Sequence, residues 1–381
     1  MANPLLELKK LGQSVWYDNL NRELIVSSRL RRMVEEDGVC GGTSNPSIFE
    51  KAVASGDVYD ESLRELAGQG KDVAAIYDGL TVTDVQQSAD VFRRVYDDTA
   101  SADGYASLEV PPDLANDTQA SIEAARRLFA ALDRPNVMIK IPGTQAGLPA
   151  IEQCLSEGIN VNITLLFGVD NYEQVAWAYV SALEKRLTAG QPIDRIASVA
   201  SFFVSRVDTL TDEKLEEKIA AAASDAQRKE LGSLLGKAAV ANAKIAYARY
   251  KKIFSGPRWR ALASKGARVQ RCLWASTSTK NPAYRDVVYA EELIGPDTVN
   301  TLPQNTLDAF REHGRAAATL EAGLDDARET IQRIERAGID FKAVTDELQV
   351  QGVKLFCDSF DKALETIRDK RDALRAAKAR A

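Results

Sequence analysis

The chain has 381 residues, and its 49 Lys and Arg against 55 Asp and Glu give a net charge of −6 and a pI near 5.3. Because both signs of charge are scattered along the sequence, nucleic acid is not an expected partner. No apolar stretch approaches the ~20 residues that span a bilayer, and the N-terminus MANPLLELKKLG lacks a signal-peptide pattern. We therefore expect a cytoplasmic protein with no membrane partner.

Eight short segments rich in Val, Ile and aromatic residues predict β-strands. They are 15–18, 41–46, 105–110, 137–141, 160–165, 196–202, 270–276 and 298–302. Helical periodicity lies between them, as in 120–132 and 171–187, where apolar residues recur at i, i+3 and i+4. Strands that alternate with helices indicate a parallel sheet. Eight such units predict an α/β protein with a single (β/α)8, or TIM, barrel domain over 1–381.

Long helical segments are expected to add to this barrel. The connections at about 50–103 and 208–267 contain no Gly/Ser/Pro-rich linker, so we interpret them as insertions rather than separate domains. The region at about 316–381 predicts several charged amphipathic helices, whose apolar stripe packs on the barrel or on another subunit. The sequence leaves the oligomeric state open between a monomer and a homodimer.

Histidine and cysteine are too sparse for several kinds of catalytic site. No CxxC pair occurs among the four cysteines, Cys40, Cys154, Cys272 and Cys357, which fits reduced core thiols. A catalytic triad or a multi-histidine metal site would depend on the one histidine, His313. That histidine is expected near the C-terminal end of a short helix, where the helix dipole favours it. The sequence therefore predicts neither a metal nor an organic cofactor.

One lysine, Lys140, lies inside the otherwise apolar run NVMIKIPGT at 136–144. An exposed lysine titrates near ~10.4, and burial among apolar groups lowers such a pKa by several units, which leaves part of the amine neutral and nucleophilic. A desolvated lysine is therefore a candidate to form a Schiff base. The strand alone leaves a simpler alternative open, in which Lys140 points outward or pairs with a nearby carboxylate.

Polar side chains mark the carboxyl ends of seven predicted strands, where the catalytic groups of TIM barrels lie. They are Asp18, Asn45, Glu109, Lys140, Asn162 with Thr164, Ser201 and Ser276. A neutral amine can attack a ketone, carboxylates can carry protons, and amides and hydroxyls can orient sugar hydroxyls. A metal-dependent aldolase would instead need several histidines. The residue types therefore favour Schiff-base chemistry on a sugar.

Several motifs resemble those of the transaldolase family, in the family's order. They are TSNPS (43–47), IKIPGT (139–144), GL (147–148), AI (150–151) and NVNITLLF (160–167). WAST (274–277), TKNP (279–282) and NTLP (300–303) resemble the longer bacterial subfamily. The resemblance runs from about residue 15 to about 305. It implies a transferase of the non-oxidative pentose phosphate pathway, which moves a dihydroxyacetone unit from sedoheptulose 7-phosphate or fructose 6-phosphate to glyceraldehyde 3-phosphate or erythrose 4-phosphate.

The resemblance also implies catalytic roles for four residues. Lys140 forms the Schiff base, Glu109 with Thr164 holds a catalytic water, and Asp18 is the acid and base at the cleaved hydroxyl. No cofactor is implied, and the partners are small sugar phosphates.

The family's substrate-binding positions match four more residues. Asn45, Asn162 and Ser201 match positions that bind the dihydroxyacetone moiety. Arg206 matches a phosphate-binding arginine.

Two departures from the family pattern affect the expected site. A proline pair at 111–112 follows Glu109, where many relatives have none, so the loop geometry there is open. After the seventh strand, the shorter relatives carry a second phosphate arginine, whereas this chain reads STSTK at 276–280. We assign that role to Lys280 with support from Ser276; the alternative is that Lys280 only caps a loop before Asn281.

Two other functions remain open at the sequence level. An aldolase similar to fructose 6-phosphate aldolase would release free dihydroxyacetone from the same scaffold. A non-catalytic sugar-phosphate-binding barrel would need no Schiff base. The longer chain and its added helices favour the transferase.

Overall fold

The computed structural model describes residues 3–380, with side chains described to residue 374. Within this part of the chain, eight parallel strands close a barrel in which each strand pairs with the next and the last pairs with the first. They are β1 (Gln13–Tyr17), β2 (Val39–Thr43), β3 (Ala106–Glu109), β4 (Val137–Pro142), β5 (Val161–Leu166), β6 (Ser198–Phe203), β7 (Arg271–Ala275) and β8 (Thr298–Leu302). The predicted (β/α)8 barrel is confirmed.

Helices cover the outside of the barrel. The first nine are α1 (Pro4–Lys10), α2 (Arg22–Val26), α3 (Arg29–Asp37), α4 (Pro46–Ala54), α5 (Asp60–Gly68), α6 (Val73–Asp98), α7 (Thr118–Leu132), α8 (Gly147–Glu157) and α9 (Val169–Thr188). The others are α10 (Ser205–Ala220), α11 (Asp225–Gly232), α12 (Ala238–Ile253), α13 (Pro257–Ala263), α14 (Val288–Glu292), α15 (Gln304–His313), α16 (Leu324–Arg336) and α17 (Phe341–Arg380). A short 3₁₀ helix, Pro112–Asn116, contains the second proline of the unusual pair after β3.

Every residue of β4, β5 and β6 is buried. This pattern is expected of parallel strands that are covered by helices on one face and by barrel side chains on the other. Burial of both faces explains why the sequences of these strands are nearly continuous apolar runs. A polar residue in such a strand must find a partner inside the protein.

The largest change to a predicted strand concerns β2, which ends at Thr43 rather than at residue 46. Asn45 is the N-cap of α4, and its Oδ1 accepts a hydrogen bond of 3.0 Å from the N–H of Ile48. Pro46 then occupies the first turn, where its missing N–H costs nothing. Asn45 therefore begins a helix and does not end a strand, although it still lies at the same face of the barrel.

The two long connections are helical, as the sequence indicated. Residues 50–103 hold α5, α6 and the end of α4, and residues 208–267 hold most of α10 with α11, α12 and α13. After β8 the described chain forms α15, α16 and a single helix of 40 residues, α17, rather than a series of several shorter helices. None of the helices within residues 3–380 combines the length and the apolar character that a membrane crossing requires.

Helix α10 follows β6 and is held in place by a buried carboxyl group, Asp208. Its Oδ1 accepts a 2.7 Å hydrogen bond from the N–H of Ala239, and its Oδ2 accepts one of 2.7 Å from the hydroxyl of Tyr289. Burial raises the pKa of Asp208 to about 6, although both hydrogen bonds oppose that rise. The folded protein therefore binds a proton here that the unfolded chain releases near ~3.9.

We expect Asp208→Asn to stabilise the protein at neutral pH. Because the folded pKa lies above the unfolded one, stability falls as pH rises from about 4 to about 6, by roughly 3 kcal/mol in all. An asparagine carries no charge; its oxygen can still accept from the N–H of Ala239, and its NH₂ group can donate to the Tyr289 hydroxyl, which reverses the direction of that hydrogen bond. Thermal unfolding of the variant should therefore lose this part of the pH dependence. Asp325→Asn, which changes an exposed carboxylate on α16, is the control. Parallel melting-temperature curves for wild type and Asp208→Asn between pH 4 and 7 would contradict the assignment.

Candidate active site

A cavity of about 210 Å³ opens at the carboxyl ends of the strands. Eight of the ten residues predicted for the site line it: Asp18, Asn45, Lys140, Thr164, Ser201, Arg206, Ser276 and Lys280. The other two, Glu109 and Asn162, lie behind its wall and contact lining residues. The structure therefore brings all ten together at one face of the barrel, as expected of parallel strands.

Lys140 and Glu109 form a buried ion pair. They are cross-strand partners in the pairing of β4 with β3, and they are 5% and 6% exposed. The Lys140 ammonium donates to Glu109 Oε2 at 3.0 Å and to the carbonyl of Ser44 at 3.2 Å. The simpler alternative, that Lys140 pairs with a carboxylate, is thus what the structure shows. The carboxylate with which Lys140 pairs, however, belongs to Glu109, for which the sequence analysis predicted a catalytic role.

Both carboxyl groups of the site are protonated more readily than exposed ones. Burial raises the pKa of Glu109, although the charge of Lys140 opposes the shift. Burial also raises the pKa of Asp18, against the charge of Lys140 and a 2.8 Å hydrogen bond donated by the hydroxyl of Thr43. A carboxyl group with a raised pKa keeps its proton to a higher pH than an exposed one does, which suits it to general acid and base catalysis.

Two buried oxygens of the site have no hydrogen-bond partner among the described residues. They are Glu109 Oε1 and the hydroxyl of Thr164. Buried polar atoms are almost always paired, so unpaired ones need an explanation. Glu109 pairs with Lys140, and Thr164 lines the cavity together with Lys140. A buried water molecule is the usual partner for such atoms.

Amide and hydroxyl groups surround the cavity, with Asn45 and Ser201 in its lining and Asn162 behind it. The hydroxyl of Ser201 donates to Asn162 Oδ1 at 2.6 Å, and Asn162 Nδ2 donates to the hydroxyl of Ser107 at 3.1 Å. Asn162 is fully buried and reaches the cavity only through Ser201. Asn45 uses its oxygen to cap α4, so its NH₂ group is the part left for a ligand.

Two cationic side chains, Arg206 and Lys280, line the same cavity. Arg206 lies in the first turn of α10, and the ammonium of Lys280 donates to the hydroxyl of Ser278 at 2.7 Å. Partial burial and the charge of Arg206 lower the pKa of Lys280. An anion between these cations would relieve their mutual repulsion, which is the behaviour expected of a phosphate site.

The loop that carries Lys280 is fixed to its surroundings. Ser276 adopts a left-handed backbone conformation with φ of 55°, and its hydroxyl lies 3.0 Å from that of Ser205. Farther along the loop, the hydroxyl of Tyr284 donates to Asp212 Oδ2 at 2.7 Å. A left-handed non-glycine residue is costly and is found mainly where a site requires it. These contacts hold the Lys280 loop beside the first turn of α10.

A larger cavity, of about 470 Å³, lies outside the barrel between α9, α12, α16 and the start of α17. It contains no lysine-carboxylate pair from the strand ends, so we do not regard it as the active site. Among residues 3–380, no group of three or more His, Cys, Asp or Glu side chains is arranged to hold a metal ion.

A family model described as Transaldolase/Fructose-6-phosphate aldolase matches residues 15–367. The chain belongs to this family. It is 49% identical over 371 residues to Transaldolase 2 of Nostoc sp., with 97% of each chain covered. It is 46% identical to Transaldolase of Trichodesmium erythraeum, over 97% of this chain and 98% of that one. It is also 46% identical to Transaldolase of Frankia alni, over 96% and 97% of the two chains.

Two aromatic residues of this transaldolase-family site were missed in the sequence. Phe203 ends β6, and its ring centroid lies 5.6 Å from the guanidinium carbon of Arg206. It could have been found, because residues two apart on a strand share a face and Ser201 was already assigned to the cavity. Phe356 comes from α17, and its ring centroid lies 5.9 Å from the Lys140 nitrogen. No local sequence signal places Phe356 there.

Proposed function

We propose that this chain is a transaldolase, which transfers a dihydroxyacetone unit from fructose 6-phosphate or sedoheptulose 7-phosphate to an aldose phosphate in the non-oxidative pentose phosphate pathway. The observation that carries the proposal is the buried Lys140–Glu109 pair beside a cavity that also contains Asp18 and two cations. The names of the relatives agree with it. We further propose that the whole chain acts as one cytoplasmic (β/α)8 domain.

The first step in this mechanism is loss of a proton from Lys140. Glu109 Oε2, at 3.0 Å, is near enough to accept it, and burial favours the protonated carboxyl group. The neutral amine then attacks the ketone carbon of the substrate. The former ketone oxygen must be protonated before it leaves as water. A separate water molecule, bound by Glu109 Oε1 and the Thr164 hydroxyl, would carry this proton from Glu109.

The second step is cleavage of the carbon-carbon bond. Asp18 lines the cavity and takes the proton from the hydroxyl next to the bond that breaks. An aldose phosphate leaves, and the dihydroxyacetone unit stays on Lys140 as an enamine. With an acceptor aldehyde the step runs in reverse, and Asp18 returns the proton to the aldehyde oxygen. The raised pKa of Asp18 suits a group that must work in both directions.

The other residues of the cavity bind the substrate in this mechanism. Arg206 and Lys280 hold the phosphate, with Ser276 in support, and Asn45 and Ser201 orient the dihydroxyacetone hydroxyls. Asn162 acts through its hydrogen bond with Ser201.

A product assay with and without erythrose 4-phosphate tests the function. A transaldolase given fructose 6-phosphate should produce sedoheptulose 7-phosphate and glyceraldehyde 3-phosphate when the acceptor is present, with little free dihydroxyacetone. An aldolase would release free dihydroxyacetone whether or not the acceptor is present. A binding protein without catalysis would leave fructose 6-phosphate unchanged.

Lys280→Ala tests the phosphate site. Loss of a hydrogen bond to a charged group should weaken binding of fructose 6-phosphate by roughly 1.5–3 kcal/mol. Any activity on unphosphorylated fructose should hardly change. KM values for both sugars, with the exposed Lys265→Ala as the control variant, provide the measurement. Equal losses on the two sugars would show that Lys280 does not bind the phosphate.

A further inference from the structure

Helix α17 lies across the mouth of the barrel and is tied to two catalytic strands. The side-chain NH₂ of Gln349 donates to the carbonyls of Gly143 and Leu165 at 3.1 and 3.0 Å, and to Asn171 Oδ1 at 3.1 Å. Gly143 directly follows β4, which carries Lys140, and Leu165 directly follows Thr164 in β5. The C-terminal helix thus binds the backbone of the strands that hold the proposed nucleophile and its neighbour.

The helix also approaches the barrel very closely at Gly352. A Cβ atom added there would lie 2.9 Å from the Leu165 side chain, so a larger residue would require that side chain or the helix to move. Farther along, the hydroxyls of Ser359 and Ser47 lie 2.6 Å apart, and the ring of Phe360 packs edge-on against Tyr77. The helix is therefore fixed on both sides of residue 356.

Phe356 is the residue that this helix presents to the active site. It lines the cavity, is 5% exposed, and has its ring 5.9 Å from the Lys140 nitrogen. Two apolar residues nearby on the same helix face solvent instead, since Val350 is 71% exposed and Leu355 is 50% exposed. The aromatic ring is thus an apolar wall of a cavity whose other lining groups include several polar side chains.

We propose that Phe356 is a positioning residue that excludes water from the dihydroxyacetone unit held on Lys140, so that the unit is transferred rather than released. The inference rests on the proposed transaldolase function and adds to it a reason for the long C-terminal helix. In this proposal a single side chain controls the ratio of dihydroxyacetone transfer to dihydroxyacetone release.

The chemistry of the two outcomes explains why water matters. In transfer, the enamine carbon attacks the acceptor aldehyde, a carbon-carbon bond forms, and the aldehyde oxygen takes up a proton. In release, the enamine carbon is protonated and water adds to the resulting iminium carbon. The carbon-nitrogen bond then breaks, which leaves free dihydroxyacetone and the lysine amine. Water must also add to the iminium carbon at the end of transfer, where it frees sedoheptulose 7-phosphate from the lysine, so the two outcomes diverge at protonation of the enamine carbon. A ring over the lysine hinders this protonation by keeping water away from the enamine carbon, because a closed site suppresses such side reactions.

The test compares Phe356→Ala and Phe356→Leu with Leu355→Ala, the matched control on the outer side of the same helix. For each variant, free dihydroxyacetone and sedoheptulose 7-phosphate are measured from fructose 6-phosphate and erythrose 4-phosphate. We expect the ratio of release to transfer to rise roughly tenfold or more in Phe356→Ala, and by a smaller factor in Phe356→Leu, as water gains access. Leu355→Ala should keep the wild-type ratio.

A ratio is informative because a merely structural defect lowers both products together. If Phe356→Ala and Phe356→Leu lose activity but keep the wild-type ratio, the proposal is wrong. If Leu355→Ala raises the ratio as much as Phe356→Ala, the effect belongs to the helix and not to the ring, and the proposal is also wrong. Absence of any transfer by the wild-type protein would instead overturn the proposed function, and the two failures are therefore distinguishable.

Discussion

Lys140→Met is expected to abolish turnover of fructose 6-phosphate while leaving the fold intact. The amine at this position is the only group in the proposed mechanism that bonds covalently to the substrate, and a thioether cannot replace it. The substitution also removes the ion pair with Glu109 and leaves a buried carboxyl group without its cation. Because burial already raises the pKa of Glu109, that group can take up a proton and avoid the cost of an unpaired charge.

The measurement is kcat in the transfer assay, together with far-ultraviolet circular dichroism to check folding. Lys354→Met is the matched control, since it removes a 73% exposed lysine paired with Asp358 on α17. It should keep wild-type activity. Turnover by Lys140→Met above the uncatalysed rate would contradict the assignment of the nucleophile.

Glu109→Gln and Asp18→Asn are each expected to lower kcat by roughly 10²–10⁴, the usual range for removing a positioned acid or base. They should fail at different steps. Glu109 lies against the amine, so its loss slows formation of the Schiff base. In the proposed mechanism Asp18 acts at the bond that breaks, so Asp18→Asn should still form the adduct but accumulate it uncleaved.

Single-turnover experiments with borohydride trapping separate the two variants. Glu109→Gln should yield little trapped adduct at early times, whereas Asp18→Asn should yield adduct that retains the whole ketose phosphate. The exposed Asp325→Asn should behave as wild type. A normal burst of glyceraldehyde 3-phosphate from Asp18→Asn would rule out the role given to that residue.

The barrel and most of the residues that meet at the candidate site could be predicted because parallel strands impose a strong local pattern. Buried strands such as β4 and β5 read as apolar runs, and their carboxyl ends must meet at one face. Lys140 and Glu109 therefore had to lie near each other once both were placed at strand ends. The pattern of apolar residues did not predict where β2 ends, because Asn45 precedes a proline and caps a helix.

What could not be predicted depends on contacts between distant parts of the chain. The amphipathic pattern of α17 shows that one face is apolar, but it does not show what covers that face. Phe356 is 216 residues beyond Lys140 in the sequence, and only the docked helix brings them together. The position of Lys280 likewise depends on a loop held by Tyr284 and Asp212, a pair that no periodicity indicates.

Mass spectrometry after borohydride reduction in the presence of fructose 6-phosphate shows whether Lys140 forms a Schiff base. We expect the wild-type protein to gain the mass of one reduced dihydroxyacetone unit and the modified peptide to contain Lys140. We expect Lys140→Met to gain none. An unmodified wild-type protein, or an adduct on any other lysine, would contradict the Schiff-base mechanism at Lys140.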